Sequence, residues 1–251
     1  MPAPFPLYLP TDARRLFQTE SLLRRFAQMA QWDEQSRLLE LHASLGGLAL
    51  IRALGSALVI IEPEQRLLDS VRERAKVAGV LEKVTFEQHS ALDLDYPDQS
   101  FSGIFGFGRV LGVPGTVAAW LRPLLTQNGR LGITCMMKVS RNPAKASLDY
   151  WNKRLGSPLL LPRESLLAVE AAGYEPELVE SLGDAELDEY YKELELNLAK
   201  APATDAAGAA ALKEEIAVHR AANGKAGVTF GFIVARRKEP GEKPPLSRDS
   251  G

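Results

Sequence analysis

The chain has 251 residues, 45% hydrophobic and 25% charged, the composition of one globular domain or of a domain carrying an insertion. A formal charge of −2 offers no global attraction to nucleic acid or to an anionic membrane. One cysteine, Cys135, excludes an internal disulfide and fits a reducing compartment, and a core of this size needs neither disulfide nor metal.

Residues 1–10 are proline-rich and lack the basic-then-apolar order of a signal peptide. The longest apolar stretch, 45–61, is interrupted by Arg52 and glycines and falls short of a membrane span, so a soluble cytoplasmic protein is expected. A helical pattern over 12–35 carries Leu16, Leu23, Phe26 and Met29. A short strand over 38–41 and a helix over 46–54 follow. Residues 57–61 form an aliphatic run, as expected for a strand buried on both faces. Pro63 then opens a helix with Leu67, Val71, Ala75 and Ala78 on one side, and Gly79 closes it.

Strands are predicted over 84–87 and 101–107, separated by the turn cluster Tyr96-Pro97-Asp98-Gln99-Ser100. A helix over 114–125 precedes a strand over 129–137, in which Cys135 reads as a buried structural thiol. A helix over 163–172, ended by Gly173, leads to a strand over 177–182. Strands alternating with helices at this spacing imply a parallel sheet with right-handed crossovers.

Residues 184–223 break that alternation with two helical patterns in succession. Asp184 can cap the first, whose stripe is Leu187, Tyr190, Tyr191, Leu194 and Leu198. An alanine-rich connector over 199–211 leads to the second, with Leu212, Ile216 and His219 on one side. A β-rich run returns over 228–236. The expected organisation is a single domain over 1–237 with a helical insertion at 184–223. The proline-, glycine- and charge-rich residues 238–251 read as a flexible tail.

The segment Leu38-Leu39-Glu40-Leu41-His42-Ala43-Ser44-Leu45-Gly46-Gly47 resembles the first motif of class I S-adenosylmethionine-dependent methyltransferases. There a strand ends in an acidic residue, followed by alternating glycines and a helix. Val59-Ile60-Ile61-Glu62-Pro63 is similar to the second strand with its ribose-binding acid. Ala91-Leu92-Asp93-Leu94, Pro97-Asp98-Gln99-Ser100-Phe101, Asn128-Gly129-Arg130-Leu131 and Glu170-Ala171-Ala172-Gly173-Tyr174 resemble later junctions of the family, in its order. The resemblance covers about 36–182 and the final strand. It implies a Rossmann-like α/β fold with a seven-stranded, mostly parallel sheet flanked by helices, its last strand antiparallel.

It also implies S-adenosylmethionine as cofactor, bound by Glu40, His42, Ser44, Gly46, Glu62, Ser90, Ala91 and Phe107. A carboxylate such as Glu62 can accept both ribose hydroxyls, each bond worth about 1.5–3 kcal/mol. Glu40 would lie near the methionine end of the cofactor or cap the turn. His42 and Ser44 stand where the family has glycine, Ser90 where it has an acidic adenine-binding residue, and Ser102 where an aspartate is common. Glycine belongs in the turn because the backbone bends sharply against the cofactor.

Phe105-Gly106-Phe107-Gly108-Arg109 lacks the Asn/Asp-Pro-Pro-aromatic signature of enzymes that methylate exocyclic or amide nitrogens, which favours a small-molecule acceptor. Tyr190, Tyr191 and His219 of the insertion are candidates for the acceptor pocket, or simply for packing the helices to the sheet. No catalytic residue is assigned. The turn lacks G-x-G-x-x-G, and the chain has no P-loop, no G-x-S-x-G and no His/Cys cluster at metal spacing. The alternative to an enzyme is a methyltransferase fold that serves as a binding or assembly module.

Overall fold

The computed structural model describes residues 19–43, 45–91, 93–200, 206–222 and 224–239. Among these the elements run α1 (Thr19–Ala30), β1 (Arg37–Leu41), α2 (Leu45–Leu54), β2 (Ala57–Ile61), α3 (Gln65–Val77), β3 (Val84–Glu87) and β4 (Phe101–Val110). They continue with α4 (Pro114–Leu121), β5 (Leu125–Lys138), α5 (Lys145–Leu155), α6 (Pro162–Ala171), β6 (Tyr174–Ser181), α7 (Asp184–Lys200), α8 (Ala206–Ala222) and β7 (Val228–Arg237).

The strands form one sheet in the order β3-β2-β1-β4-β5-β7-β6. Neighbours from β3 through β5 pair in parallel, and β7 runs antiparallel to both β5 and β6. The aliphatic run of β2 is buried from Leu58 to Ile61 because helices cover both sides of the sheet. On one face Leu38, Leu58, Ile60, Phe105, Met136 and Phe232 meet α1, α2, α3, α5, α7 and α8. On the other, Leu39, Leu41, Val59, Ile61, Ile133 and Cys135 meet α4 and α6. Side-chain alternation along each strand sorts these two sets.

Several predicted boundaries move. The first helix ends at Ala30, not near 35, because Gln31 turns left-handed (φ 54). The amides of Gln31 and Trp32 then return to the carbonyls of Gln28 and Ala27, closing a Schellman-type end. Residues 12–18 of that predicted helix lie outside the described residues. Helix α4 stops at Leu121, and a 3-10 turn, Arg122–Leu124, follows; Pro123 has no N–H with which to extend the ladder. Leu125, expected in that helix, instead starts β5.

Strand β6 starts earlier than predicted, at Tyr174, and tolerates Pro176 because it pairs with β7 alone. The expected connector over 199–211 is mostly helix, since α7 runs to Lys200 and α8 begins at Ala206. Helix α5 was not predicted. Its buried positions are Ser147 and Trp151, and a serine does not register as apolar. Of the predicted tail, 240–251 lie outside the described residues. Lys238 is tied down: its amide bonds the Gly173 carbonyl at 3.0 Å and its ammonium pairs with Glu170 at 3.2 Å.

Candidate active site

The carboxyl ends of β1, β2, β3 and β4 share one edge of the sheet, where ligands of open α/β sheets bind. Immediately after β1, His42 takes the left-handed conformation (φ 71). This conformation costs a non-glycine residue roughly 1–2 kcal/mol, and histidine is among the side chains enriched there. The His42 amide donates to the Ile61 carbonyl at 2.9 Å, which clips the turn to the end of β2. Its ring is 7% exposed and places Nδ1 3.7 Å from Oε2 of Glu62.

Glu62 is fully buried, and main-chain amides hold it in place. Ala43 N–H donates to Oε2 at 3.3 Å and Glu64 N–H to Oε1 at 3.2 Å. The Glu62 amide donates to the Glu87 carbonyl at 3.1 Å, joining the ends of β2 and β3.

Glu40 is also fully buried, but against α2. A methyl group built on Gly47 would stand 2.1 Å from its Oε2. Gly47 is therefore required because the Glu40 carboxylate lies against the first turn of α2. Gly46 is buried in the same turn. Ser44 lies outside the described residues.

Ser90 is exposed beyond β3, and its carbonyl accepts the Asp93 amide at 3.0 Å. Ala91 is buried with Leu41 and Ile61 on the α4 and α6 face. Phe107 lies where the β4–β5 register shifts between Gly106 and Val110, and its side chain is outside the described residues. Ser102, elsewhere in β4, takes the Arg37 amide at 3.4 Å. Near Ser90 stands a charge cluster that sequence reading missed. His89 Nε2 lies 2.9 Å from Oε2 of Glu87, and the Tyr96 hydroxyl donates to the same oxygen. Burial raises the Glu87 carboxyl, but these two hydrogen bonds outweigh it and hold it below the usual range. The sequence offered only spacing here, because the turn around Pro97 brings Tyr96 back to β3.

Tyr190, Tyr191 and His219 come together between α7 and α8, beside Met136 near the end of β5 and Val228 at the start of β7. The Tyr191 and His219 rings stack with centroids 3.9 Å apart, and His219 Nε2 meets Asp188 Oδ1 at 2.8 Å. The Tyr191 hydroxyl donates to Glu215 Oε1 at 3.2 Å. Glu215 is 5% exposed, and burial raises its carboxyl to about 7 against the opposing pull of Arg154 and the Tyr191 bond. Burial, then the charge of Glu215, drives the Tyr191 hydroxyl well above its ordinary value. Glu215 was not predicted as a site residue; its place four positions before His219 was the available signal. Cys135 is fully buried and its thiol is pushed far up, as a structural thiol should be. Among the described residues no three His, Cys, Asp or Glu side chains are grouped to hold a metal ion, and no helix is long and apolar enough to cross a membrane.

No protein-family model matches the chain, and no curated protein matches it in sequence. Solved structures do match. A candidate sarcosine dimethylglycine methyltransferase from Galdieria sulphuraria is 21% identical with a TM-score of 0.66, over 88% of this chain and 86% of that one. An S-adenosylmethionine-dependent methyltransferase from Thiobacillus denitrificans, solved with S-adenosylhomocysteine, is 17% identical with a TM-score of 0.66, over 89% and 97%. The [4+2]-cyclase SpnF is 19% identical with a TM-score of 0.66, over 88% and 81%. The fold is thus the Rossmann-like fold of class I methyltransferases, with the seven-stranded sheet and antiparallel last strand that the resemblance implied.

Proposed function

We propose that the protein is an S-adenosylmethionine-dependent methyltransferase, cytoplasmic, that acts on a small-molecule acceptor. The observation that carries this reading is Glu62: a carboxylate at the end of β2, oriented by the amides of Ala43 and Glu64 beside the left-handed turn at His42. A carboxylate at the end of this strand is an acceptor suited to the two hydroxyls of a ribose. S-adenosylmethionine supplies a methyl group on an already activated sulfonium, so positioning carries much of the rate. In this reading Glu62 orients the ribose and Glu40 holds the turn through α2. His42, Ser44 and Gly46 line the amino-acid side, and Ser90, Ala91 and Phe107 the adenine side. The insertion, with Tyr190, Tyr191 and His219, supplies the acceptor side. Similar structures in the same fold include methyltransferases of small molecules, which supports the acceptor class.

A second reading, a binding or assembly module, is favoured by one observation. Glu62 has no exposed surface, and the chain's own His42 ring stands 3.7 Å from it. That SpnF shares the fold and is a cyclase shows that the fold does not dictate methyl transfer. Calorimetric titration with S-adenosylmethionine and S-adenosylhomocysteine separates the readings. Micromolar binding that Glu62→Ala abolishes is the expected result. A folded chain that takes up neither compound at millimolar concentration is a module.

A further inference from the structure

Among the described residues, the two most exposed large apolar side chains are Val77, 89% exposed at the end of α3, and Leu196, 61% exposed on α7. Each stands among charged groups, and the two sets of charge are opposite. We propose that these two surfaces bind each other between copies of the chain, α7 of one copy lying in a groove formed by α1, α2 and α3 of the next. The inference goes beyond methyl transfer and does not depend on it.

The groove has a volume of about 690 Å³. Arg24 of α1, Arg52 of α2 and Arg74 of α3 line it, and no carboxylate among the described residues does. Between the arginines the surface is apolar, with Ala49 and Ala53 of α2 and Val77 of α3. Ala49 and Ala53 are four residues apart and share one face of α2, where small side chains let a second helix approach closely.

Helix dipoles account for part of this charge. Arg52 and Arg74 stand in the last turns of α2 and α3, where a cation is favoured. The dipoles do not account for Arg24, which is mid-helix in α1, or for Val77 left in water beside the arginines. Arg52 is exposed and makes no ion pair among the described residues.

The outer face of α7 is the counterpart. Leu187, Tyr191 and Leu194 are buried against the core. Glu189, Glu193 and Leu196 follow one another at four- and three-residue intervals and form the opposite, exposed face. Neither glutamate makes an ion pair among the described residues. Helix α7 holds six acidic residues against two lysines, and no other described helix has such an acidic excess. That excess singles out a second copy of this chain as the occupant.

Opposite charge steers the two surfaces together, and Leu196 leaves water where it meets Val77 and the alanines. Groove and helix are different surfaces, so the contact is head-to-tail: each copy offers α7 to one neighbour and its groove to another. One helix face in a groove falls at the low end of specific interfaces, so the association is weak and depends on concentration.

The test is sedimentation velocity of the full chain over a range of micromolar concentrations, at low and at high salt. Wild type should shift to larger species as concentration rises, and should associate at least about tenfold more weakly at high salt. Arg52→Glu and Glu193→Lys should each weaken association at least about tenfold. Mixed in equal amounts they should associate again, because the unaltered α7 of the first chain still fits the unaltered groove of the second. Leu196→Ala, which leaves every charge in place, should weaken association roughly fivefold and keep its salt dependence. All three positions are exposed, so circular dichroism and the thermal midpoint should remain those of wild type.

A wild type that stays monomeric at every concentration overturns the proposal, even if it takes up a synthetic acidic helix, since the groove then serves another protein. Association that neither charge reversal weakens, or a mixture of the two that stays monomeric, overturns it as well.

Discussion

Two buried carboxylates, Glu62 and Glu215, are solved in opposite ways. Glu62 is held by the chain's own amides, those of Ala43 and Glu64, within two short turns at the strand ends. Glu215 is met by a phenol from another helix, Tyr191, among rings and beside the unpartnered hydroxyl of Ser147. Main-chain donors are fixed by the fold wherever the turn is made. Side-chain donors are fewer, so burial governs Glu215 and raises it to about 7. The first site belongs to the sheet and the second to the helices that cover it.

The sharpest way to break this contrast is Glu62→Ala. The buried amide of Ala43 loses its acceptor, at roughly 1–3 kcal/mol, the part-buried amide of Glu64 loses its own at less, and cofactor affinity should fall by at least about 100-fold. Urea unfolding together with calorimetry checks both. A variant as stable as wild type would show that Glu62 is not held as described.

Next in size is the pH response of Glu215. Its folded value, about 7, lies above its ordinary 4.5, so the folded chain keeps the proton that the unfolded chain releases. Stability from this group is therefore complete below about pH 4.5 and is lost as pH rises to about 7. Glu215→Gln removes the effect and should gain about 3 kcal/mol on wild type between pH 4 and pH 8. Parallel urea curves at the two pH values, with no difference in gain, would place Glu215 in contact with water.

Tyr191→Phe tests the same pocket more gently. It removes the donor to Glu215 but keeps the stack on His219, and should cost about 1–2 kcal/mol at pH 8. The thermal midpoint reads this directly, and the loss should shrink in the Glu215→Gln background, where the amide oxygen still accepts the hydroxyl but carries no charge. The smallest effect is expected from His42→Gly. Relief of the left-handed backbone, roughly 1–2 kcal/mol, offsets the lost packing of a buried ring, so stability should move by no more than about 1 kcal/mol. Cofactor affinity should rise if the ring narrows the crevice. A fall would make His42 a ligand.

Much of the strand edge around Glu62 was legible. The strand runs at 38–41 and 57–61, Glu62 at the end of the second and the left-handed turn at His42 all follow from local pattern. The role of Gly47 was not, because the atom that demands a glycine there is the buried Glu40 carboxylate in the preceding strand. The helical insertion was read as two stripes, and Tyr191 and His219 were singled out, yet Glu215 was passed over as one charge among several on α8. Helix α5 escaped because its buried face is a serine and a tryptophan.

The sequence by itself determined the alternation of strands and helices, the buried faces and the turn chemistry at the strand ends. Those depend on periodicity and on backbone preferences that act within a few residues. The tertiary structure alone decided that Ser147, Tyr191 and Glu215, drawn from three helices, would enclose one cavity, and that Glu87, His89 and Tyr96 would share one oxygen. Such groupings arise from packing between elements distant in the chain, where burial, and not local pattern, sets the state of each ionisable group.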